Sequence, residues 1–360
     1  MQRFRCPSCN NELHFDNAVC MSCGNDVGYQ ADCDKMLVAH SGSWSSTTED
    51  DIFSACSNRG LIGCNWLVAG KISTPCLSCR HTLIIPDLSQ PENRERWQKL
   101  ESAKRLLFYS LIKFNLPLEE KGDVNNLRLR FELKADVLTV DGNRIPTMTG
   151  YDSGRITINI EESDDGKREL LRVAMGEPYR TLIGHFRHEI GHYYWDLLVS
   201  DKGDITQFRA IFGDERENYG DALQRHYEKG PSTQWEMKFV SAYASSHPWE
   251  DFAETWAHYF HMVDGLETGE SYNLGELKLT SARATIGPYG EVGYHNLLSS
   301  WIPLTVSMNA MNRSIGNHDF YPFILSDEIS RKLEFVHSLI HNQPNTSASP
   351  DPKFTPHAND

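Results

Sequence analysis

The chain has 360 residues, enough for two or three domains and at least one sizeable core. Hydrophobic residues make up 39% and charged residues 23%, a globular composition, while 35 Lys/Arg against 49 Asp/Glu leave a net charge of −14. That sign argues against nucleic acid and anionic lipid as partners; no apolar run reaches the roughly 18–20 residues of a bilayer span, and Met1–Cys6 has no apolar signal core, so a cytoplasmic protein is expected.

Nine cysteines fall within the first 79 residues and none after them. Eight make two groups of four: Cys6, Cys9, Cys20 and Cys23, then Cys56, Cys64, Cys76 and Cys79. A CxxC pair on a tight turn holds two thiolates about 3.5–4 Å apart, the edge of a Zn–S tetrahedron with bonds near 2.3 Å. Two such pairs close the first group as in a zinc ribbon, and Gly24 suits the turn after Cys23. The second group is less regular, because Cys56 and Cys64 do not form a CxxC pair. Four thiolates leave zinc no open position, so both sites are structural, and segments this short of aliphatics need the metal to fold. Cys33 is left over as an ordinary thiol.

Residues 1–32 are expected to form one four-cysteine ribbon and residues 33–88 a second zinc-stapled module, with a polar loop at Ser41–Asp51. Residues 1–90 carry 6 Lys/Arg against 9 Asp/Glu, and each four-thiolate zinc adds about −2. The ribbons are therefore expected to meet a protein partner or present substrate, and not to bind nucleic acid.

Beyond them, Ser89 and Glu92 have capping-box spacing, Pro91 suits a first turn, and Trp97, Leu100, Leu107, Leu111 and Phe114 recur at helical spacing as far as about Asn115. Pro117 stops that helix. Leu127, Leu129, Phe131 and Leu133 then alternate with charged residues, the pattern of a half-buried strand. Val137–Val140 and Arg155–Ile160 are further strands, set off by turns at Asp141-Gly142-Asn143 and Asp152-Ser153-Gly154. From about Glu177 to Ile340 the pattern is mostly helical, and His341–Asp360 is polar, Pro-rich and predicted to be disordered. The expected fold class is α+β: zinc ribbons followed by one domain over residues 89–340.

His188-Glu189-Ile190-Gly191-His192 is an HExxH motif. On a helix, residues four apart share a face and both imidazoles reach one metal. Pro178 supports a helix start, and Leu182, Ile183, Phe186, Ile190, Tyr194, Leu197 and Leu198 carry an apolar face through the motif. A hydrolytic zinc needs a third protein ligand and one position open for water. His247–Asp264 supplies the candidates: Glu250 and Glu254 lie four apart beside Trp249, Phe252, Trp256 and Phe260 at helical spacing. Glu250 is the expected ligand and Glu254 the acceptor for the far nitrogen of a ligand histidine, with Asp251 and Glu254 as competing ligands. Ala253 is small where the two helices must approach. His185, His247, His258 and His261 are left out of the ligand set, since a histidine beside a site is more often a packing or hydrogen-bonding residue.

HExxH followed some sixty residues later by Tyr-x6-Glu-x-x-Ala-Glu resembles the gluzincin peptidases, especially the anthrax lethal factor and Mlc titration factor type. The whole chain resembles a bacterial family of zinc-binding metallopeptidases with an N-terminal zinc ribbon, through the two CxxC pairs, Cys64–Val68, the IIPDL stretch at 84–88, Gly184–Trp195 and His247–Asp264. The resemblance implies a zincin-like domain, a small mixed sheet plus helices, holding one catalytic zinc besides the two structural ones. It implies that Tyr243, seven residues before Glu250, stabilises the transition state; composition alone fits an ordinary interface tyrosine equally well. It also suggests that strand Arg155–Ile160 pairs with an extended substrate. Zinc on His188, His192 and Glu250 would lower the pKa of a bound water toward roughly 7, with Glu189 as general base on a peptide or protein substrate. The rival expectation is a zinc-ribbon adaptor that binds proteins and carries an inactive or very narrowly specific HExxH domain.

Overall fold

Two cysteine turns of the same construction open the chain. The Cys6 N–H donates to Asn11 O and the Asn10 N–H returns to Cys6 O, both 2.8 Å; Cys20, Asn25 and Gly24 repeat the pattern at 2.9 Å. Asn10 (φ 61°) and Gly24 (φ 74°) take the left-handed backbone that each turn demands. A computed structural model gives this and all that follows, describing residues 1–40, 43–45, 52–118, 129–139, 141–175, 180–201, 205–274, 287–290 and 292–342. Most of Ser41–Asp51, Leu127, Val140, Pro178 and residues 343–360 of the expected tail lie outside the described residues.

Phe4–Arg5 pairs antiparallel with Glu12–Leu13 beside the first turn. Next comes an antiparallel sheet of five strands in chain order: Val27–Gln30, Lys35–His40, Ser43–Ser45, Ile52–Ala55 and Leu67–Ala69. This sheet runs through the expected border at residue 32, because Val27–Gln30 and Lys35–His40 pair along four positions. Cys56 and Cys64 come together although they form no CxxC pair. The short helical turn Arg59–Ile62, ended by Gly63 at φ 65°, folds the intervening chain back on itself.

The second sheet is mixed, in the order Gly150–Asp152, Arg155–Asn159, Arg130–Lys134, Thr82–Ile84. Its first pair is an antiparallel hairpin turned by Ser153-Gly154, both at positive φ, and the other two pairings are parallel. Arg155–Asn159 is therefore an interior strand, and the edge strands are Gly150–Asp152 and Thr82–Ile84, which corrects the expected place for substrate pairing. Arg130–Lys134 is buried on both faces: Glu132 is covered as well as Phe131 and Leu133. The alternation at 127–133 suggested one solvated face, but Glu132 instead meets Lys134 and Thr157. Val137–Leu138 and Arg144–Ile145 form a separate hairpin.

Helix Pro91–Lys113 crosses between the sheets. Its expected capping box does not form. The Asp87 carboxylate takes the Ser89 N–H (2.9 Å) and hydroxyl (2.8 Å), a charged acceptor two residues away prevailing over a distant cap. Phe15 and Tyr29 of the cysteine-rich part pack on Tyr109 of this helix, at 5.3 and 6.2 Å between ring centroids. One hydrophobic core thus continues from the cysteine turns into the helices. Lys113 bonds Asp34 at 2.7 Å, and the Tyr109 hydroxyl donates to Glu267 at 2.9 Å. The fold is α+β, a cysteine-rich part followed by a helix-rich domain with a small mixed sheet. Among the described residues, no helix is long and apolar enough to cross a membrane.

Candidate metal centre

Helix Leu182–Trp195 carries His188 and His192 on one face. Thr181 starts it by accepting the Gly184 N–H at 3.0 Å, three residues after the start expected near Pro178. Helix Pro248–Ser271 crosses it and begins at His247, whose Nδ1 accepts the Trp249 N–H at 3.1 Å. The crossing is close because Gly191 faces Ala253: a Cβ on Gly191 would lie 3.0 Å from Ala253 Cα. This proximity delivers Glu250 to the histidines.

Ligand-type atoms of His188, His192 and Glu250 lie within 4.8 Å of one another, and all three side chains are buried. Glu250 Oε2 stands 3.0 Å from His188 Nε2 and 3.6 Å from His192 Nε2, yet it accepts no hydrogen bond of ordinary geometry. Two imidazole nitrogens thus converge on one buried carboxylate oxygen, a donor set that fits a divalent cation. Glu254 Oε1 lies 2.6 Å from the opposite nitrogen of His188, Nδ1, which fixes that ring's orientation. His192 is oriented by aromatic packing instead: Trp249 lies over it at 3.9 Å and Tyr151 stacks at 6.1 Å, while its Nδ1 has no hydrogen-bond partner. Asp251, one residue on, points elsewhere and pairs with Lys332 at 2.6 Å.

The charged groups of the site also stabilise one another. Burial alone would push the His188 imidazole down, but the Glu250 and Glu254 carboxylates reverse this and hold it well above its usual range. Burial works against the Glu250 and Glu254 carboxylates too, and the neighbouring histidines overcome it, so both stay low, Glu254 at about 2. Glu189 moves the other way: burial pushes its carboxyl above the ordinary glutamate value.

Tyr243 begins the short turn Tyr243–Ser246 with its ring 6.0 Å from that of His188. Burial raises its hydroxyl pKa, and the Glu250 charge adds to the effect. Tyr219 in turn donates to Glu250 Oε1 at 2.7 Å. Sequence reasoning passed over Tyr219: it lies 31 residues before Glu250 and belongs to no motif. Each of the four histidines left out of the ligand set has another partner. His185 meets Glu162, His247 caps its helix and bonds Glu217 O, His258 approaches the Tyr321 hydroxyl, and His261 contacts Arg187.

The eight ribbon cysteines form two further clusters. Sγ–Sγ distances are 3.8 Å (Cys6–Cys23), 3.6 Å (Cys9–Cys20), 3.7 Å (Cys64–Cys76) and 3.8 Å (Cys64–Cys79). They match the roughly 3.8 Å edge of a tetrahedron with 2.3 Å Zn–S bonds and are far longer than a disulfide of about 2.05 Å. Cys56 joins the second cluster, its Sγ accepting the Cys76 N–H at 3.3 Å. Cys33 stands apart and accepts from the Gln30 amide at 3.4 Å.

Residues 93–339 match the family described as "Putative zinc-binding metallo-peptidase", and residues 3–90 match a zinc-ribbon domain. The chain belongs to this metallo-peptidase family. Uncharacterized protein Rv2568c of Mycobacterium tuberculosis and uncharacterized protein Mb2598c of Mycobacterium bovis are each 37% identical to it over 342 residues. The alignments cover 94% of this chain and 95% of theirs. No solved structure matches it. Both helices of the metal centre lie within the metallo-peptidase match, and both cysteine clusters lie within the ribbon match.

Proposed function

We propose that this protein is a zinc-dependent peptidase of gluzincin type, hydrolysing amide bonds with a metal-activated water. The observation that carries the reading is the bare Glu250 Oε2 facing both HExxH imidazoles, with the buried Glu189 between them in sequence. His188, His192 and Glu250 would hold the zinc, which when bound acidifies a water and polarises the scissile carbonyl. Two four-cysteine zincs would complete the metal content.

Glu189 is the residue to take the proton, its raised pKa making it a stronger base than an exposed glutamate, and it returns that proton to the leaving amine. Glu254 keeps His188 in place through Nδ1. Tyr243 lies near enough to the histidines to donate to a developing oxyanion. The edge strand Gly150–Asp152 borders the site, with Tyr151 stacked on His192. An extended peptide added to that edge would pass the metal, so a peptide or protein segment is the substrate class that fits.

Two measurements test this reading. Metal analysis should find about three zinc per chain, and about two in a His188→Ala/His192→Ala protein. Wild type incubated with a diverse peptide mixture should produce cleavage products that Glu189→Gln, with its zinc intact, does not. A full zinc complement with identical peptide profiles for the two proteins would reject the peptidase reading.

A further inference from the structure

Glu250 is approached from a second side by a helix outside both motifs. Helix Tyr219–Lys229 starts at Asn218, whose side chain accepts the Asp221 N–H at 2.9 Å. Tyr219, Ala222, Leu223 and His226 fall on one face, at i, i+3, i+4 and i+7. That face meets the metal centre at both ends, through the Tyr219–Glu250 hydrogen bond and through His226, 6.1 Å from the Tyr243 ring. His247 pins the helix there. Its Nδ1 accepts from Trp249, so Nε2 carries the proton and donates to Glu217 O at 3.1 Å, while its ring packs edge-on against Tyr219 at 5.3 Å. The segment leading to Tyr219 is thus tied to the first turn of the helix that carries Glu250.

The proton count on Tyr219 is decisive. A phenol has one proton, and here it goes to Glu250 Oε1 at 2.7 Å, a charge-assisted bond. The Tyr219 oxygen then has only acceptor capacity left. Glu250 keeps one oxygen on a protein donor and the other bare toward the histidines.

Building on the zinc reading above, we propose that Tyr219 is a positioning residue that holds Glu250 as a one-oxygen metal ligand. Without the Tyr219 hydroxyl, Oε1 loses its donor in a buried site, and the carboxylate is free to rotate both oxygens toward the cation.

The test uses the full chain as wild type, Tyr219→Phe and Tyr243→Phe. Total zinc is counted, and the dissociation constant of the third zinc is measured by chelator competition, with kcat and KM on any cleaved peptide as a further readout. Tyr219 is 38% exposed, and phenylalanine keeps its ring, so packing is preserved. The two cysteine-bound zincs should stay, while the third is held about 10–100-fold less tightly in Tyr219→Phe. Tyr243→Phe, which leaves the Tyr219–Glu250 bond in place, should bind the third zinc as wild type does. Third-zinc affinity within about twofold of wild type in Tyr219→Phe, or a loss in Tyr243→Phe as large as in Tyr219→Phe, would overturn the proposal. Absence of any third zinc from wild type would overturn the zinc reading and this proposal together; its presence with Tyr219→Phe unchanged would overturn this proposal alone.

Discussion

Lys332 Nζ lies 2.6 Å from Asp251 Oδ2 with both side chains buried, so the residue next to Glu250 is clamped by the last described helix, Asp327–His341. The same ammonium donates to Lys238 O at 2.5 Å and sits 4.2 Å over the Phe239 ring. Asp251 is therefore an anchor for the glutamate helix and faces away from the metal.

Asp251→Ala should cost stability first and metal second. It leaves the Lys332 charge buried without its partner, typically about 3–5 kcal/mol. Denaturant unfolding of the zinc-loaded protein should show a loss of that size, while third-zinc affinity well below the melting temperature changes little. A large fall in zinc affinity with unchanged unfolding would mean that Asp251, and not Glu250, faces the cation.

The two glutamates separate by what they touch. Glu250→Ala removes the oxygen that faces both imidazoles and should abolish tight binding of the third zinc. Glu254→Ala removes only the partner of His188 Nδ1 and should weaken binding about 10–100-fold. Chelator titrations rank the variants directly. Glu254→Ala proving the more damaging would require the helix to be rotated about its axis from the position described.

Gly191 offers a test of the helix crossing. Alanine there gains roughly 1 kcal/mol of helix propensity in isolation, but its Cβ would meet the Ala253 backbone at 3.0 Å, where neither side can yield cheaply. Crowding should win. Gly191→Ala is expected to lower stability by about 1–3 kcal/mol and to weaken the third zinc, because separating the helices draws Glu250 away from the histidines. Gly191→Val should be worse on both counts. If Gly191→Ala raises the melting temperature and keeps zinc, propensity outweighs the contact.

What could be read in the sequence was whatever depends on local spacing. Four residues between histidines place both on one helical face wherever that helix lies, and CxxC pairs with following Asn10 or Gly24 need only their own backbone. Glu250 was accessible because the aromatic residues around it mark the buried side of its helix. Contacts set by tertiary packing left no such trace. Tyr219 meets Glu250 only because His247 ties down the Glu217 segment, and Lys332 reaches Asp251 from 81 residues away. Gly150–Asp152 is too short to show alternation, so Arg155–Asn159 looked like the edge of its sheet. The box at Ser89 and Glu92 failed for a nearer reason, the Asp87 carboxylate two residues upstream.

Cys20→Ser with Cys23→Ser tests how independent the ribbon is. One zinc should be lost and the first cysteine module should unfold, since metal binding supplies most of its folding free energy. An independent ribbon would leave the remainder untouched, but the packing points to coupling. Phe15 and Tyr29 cover Tyr109, Lys113 pairs with Asp34, and the Tyr109 hydroxyl continues to Glu267 on the same helix as Glu250. Uncovering that surface returns apolar rings to water at about 25 cal/mol per Å², or roughly 2–3 kcal/mol for an area near 100 Å². At about 2–4 °C per kcal/mol, the main transition should fall by roughly 5–10 °C, with the third zinc retained. Differential scanning calorimetry with zinc analysis of the same samples decides the matter. A main transition unmoved from wild type would show that residues from about 90 onward fold without the ribbon, and loss of both remaining zincs would show that the coupling reaches the metal centre itself.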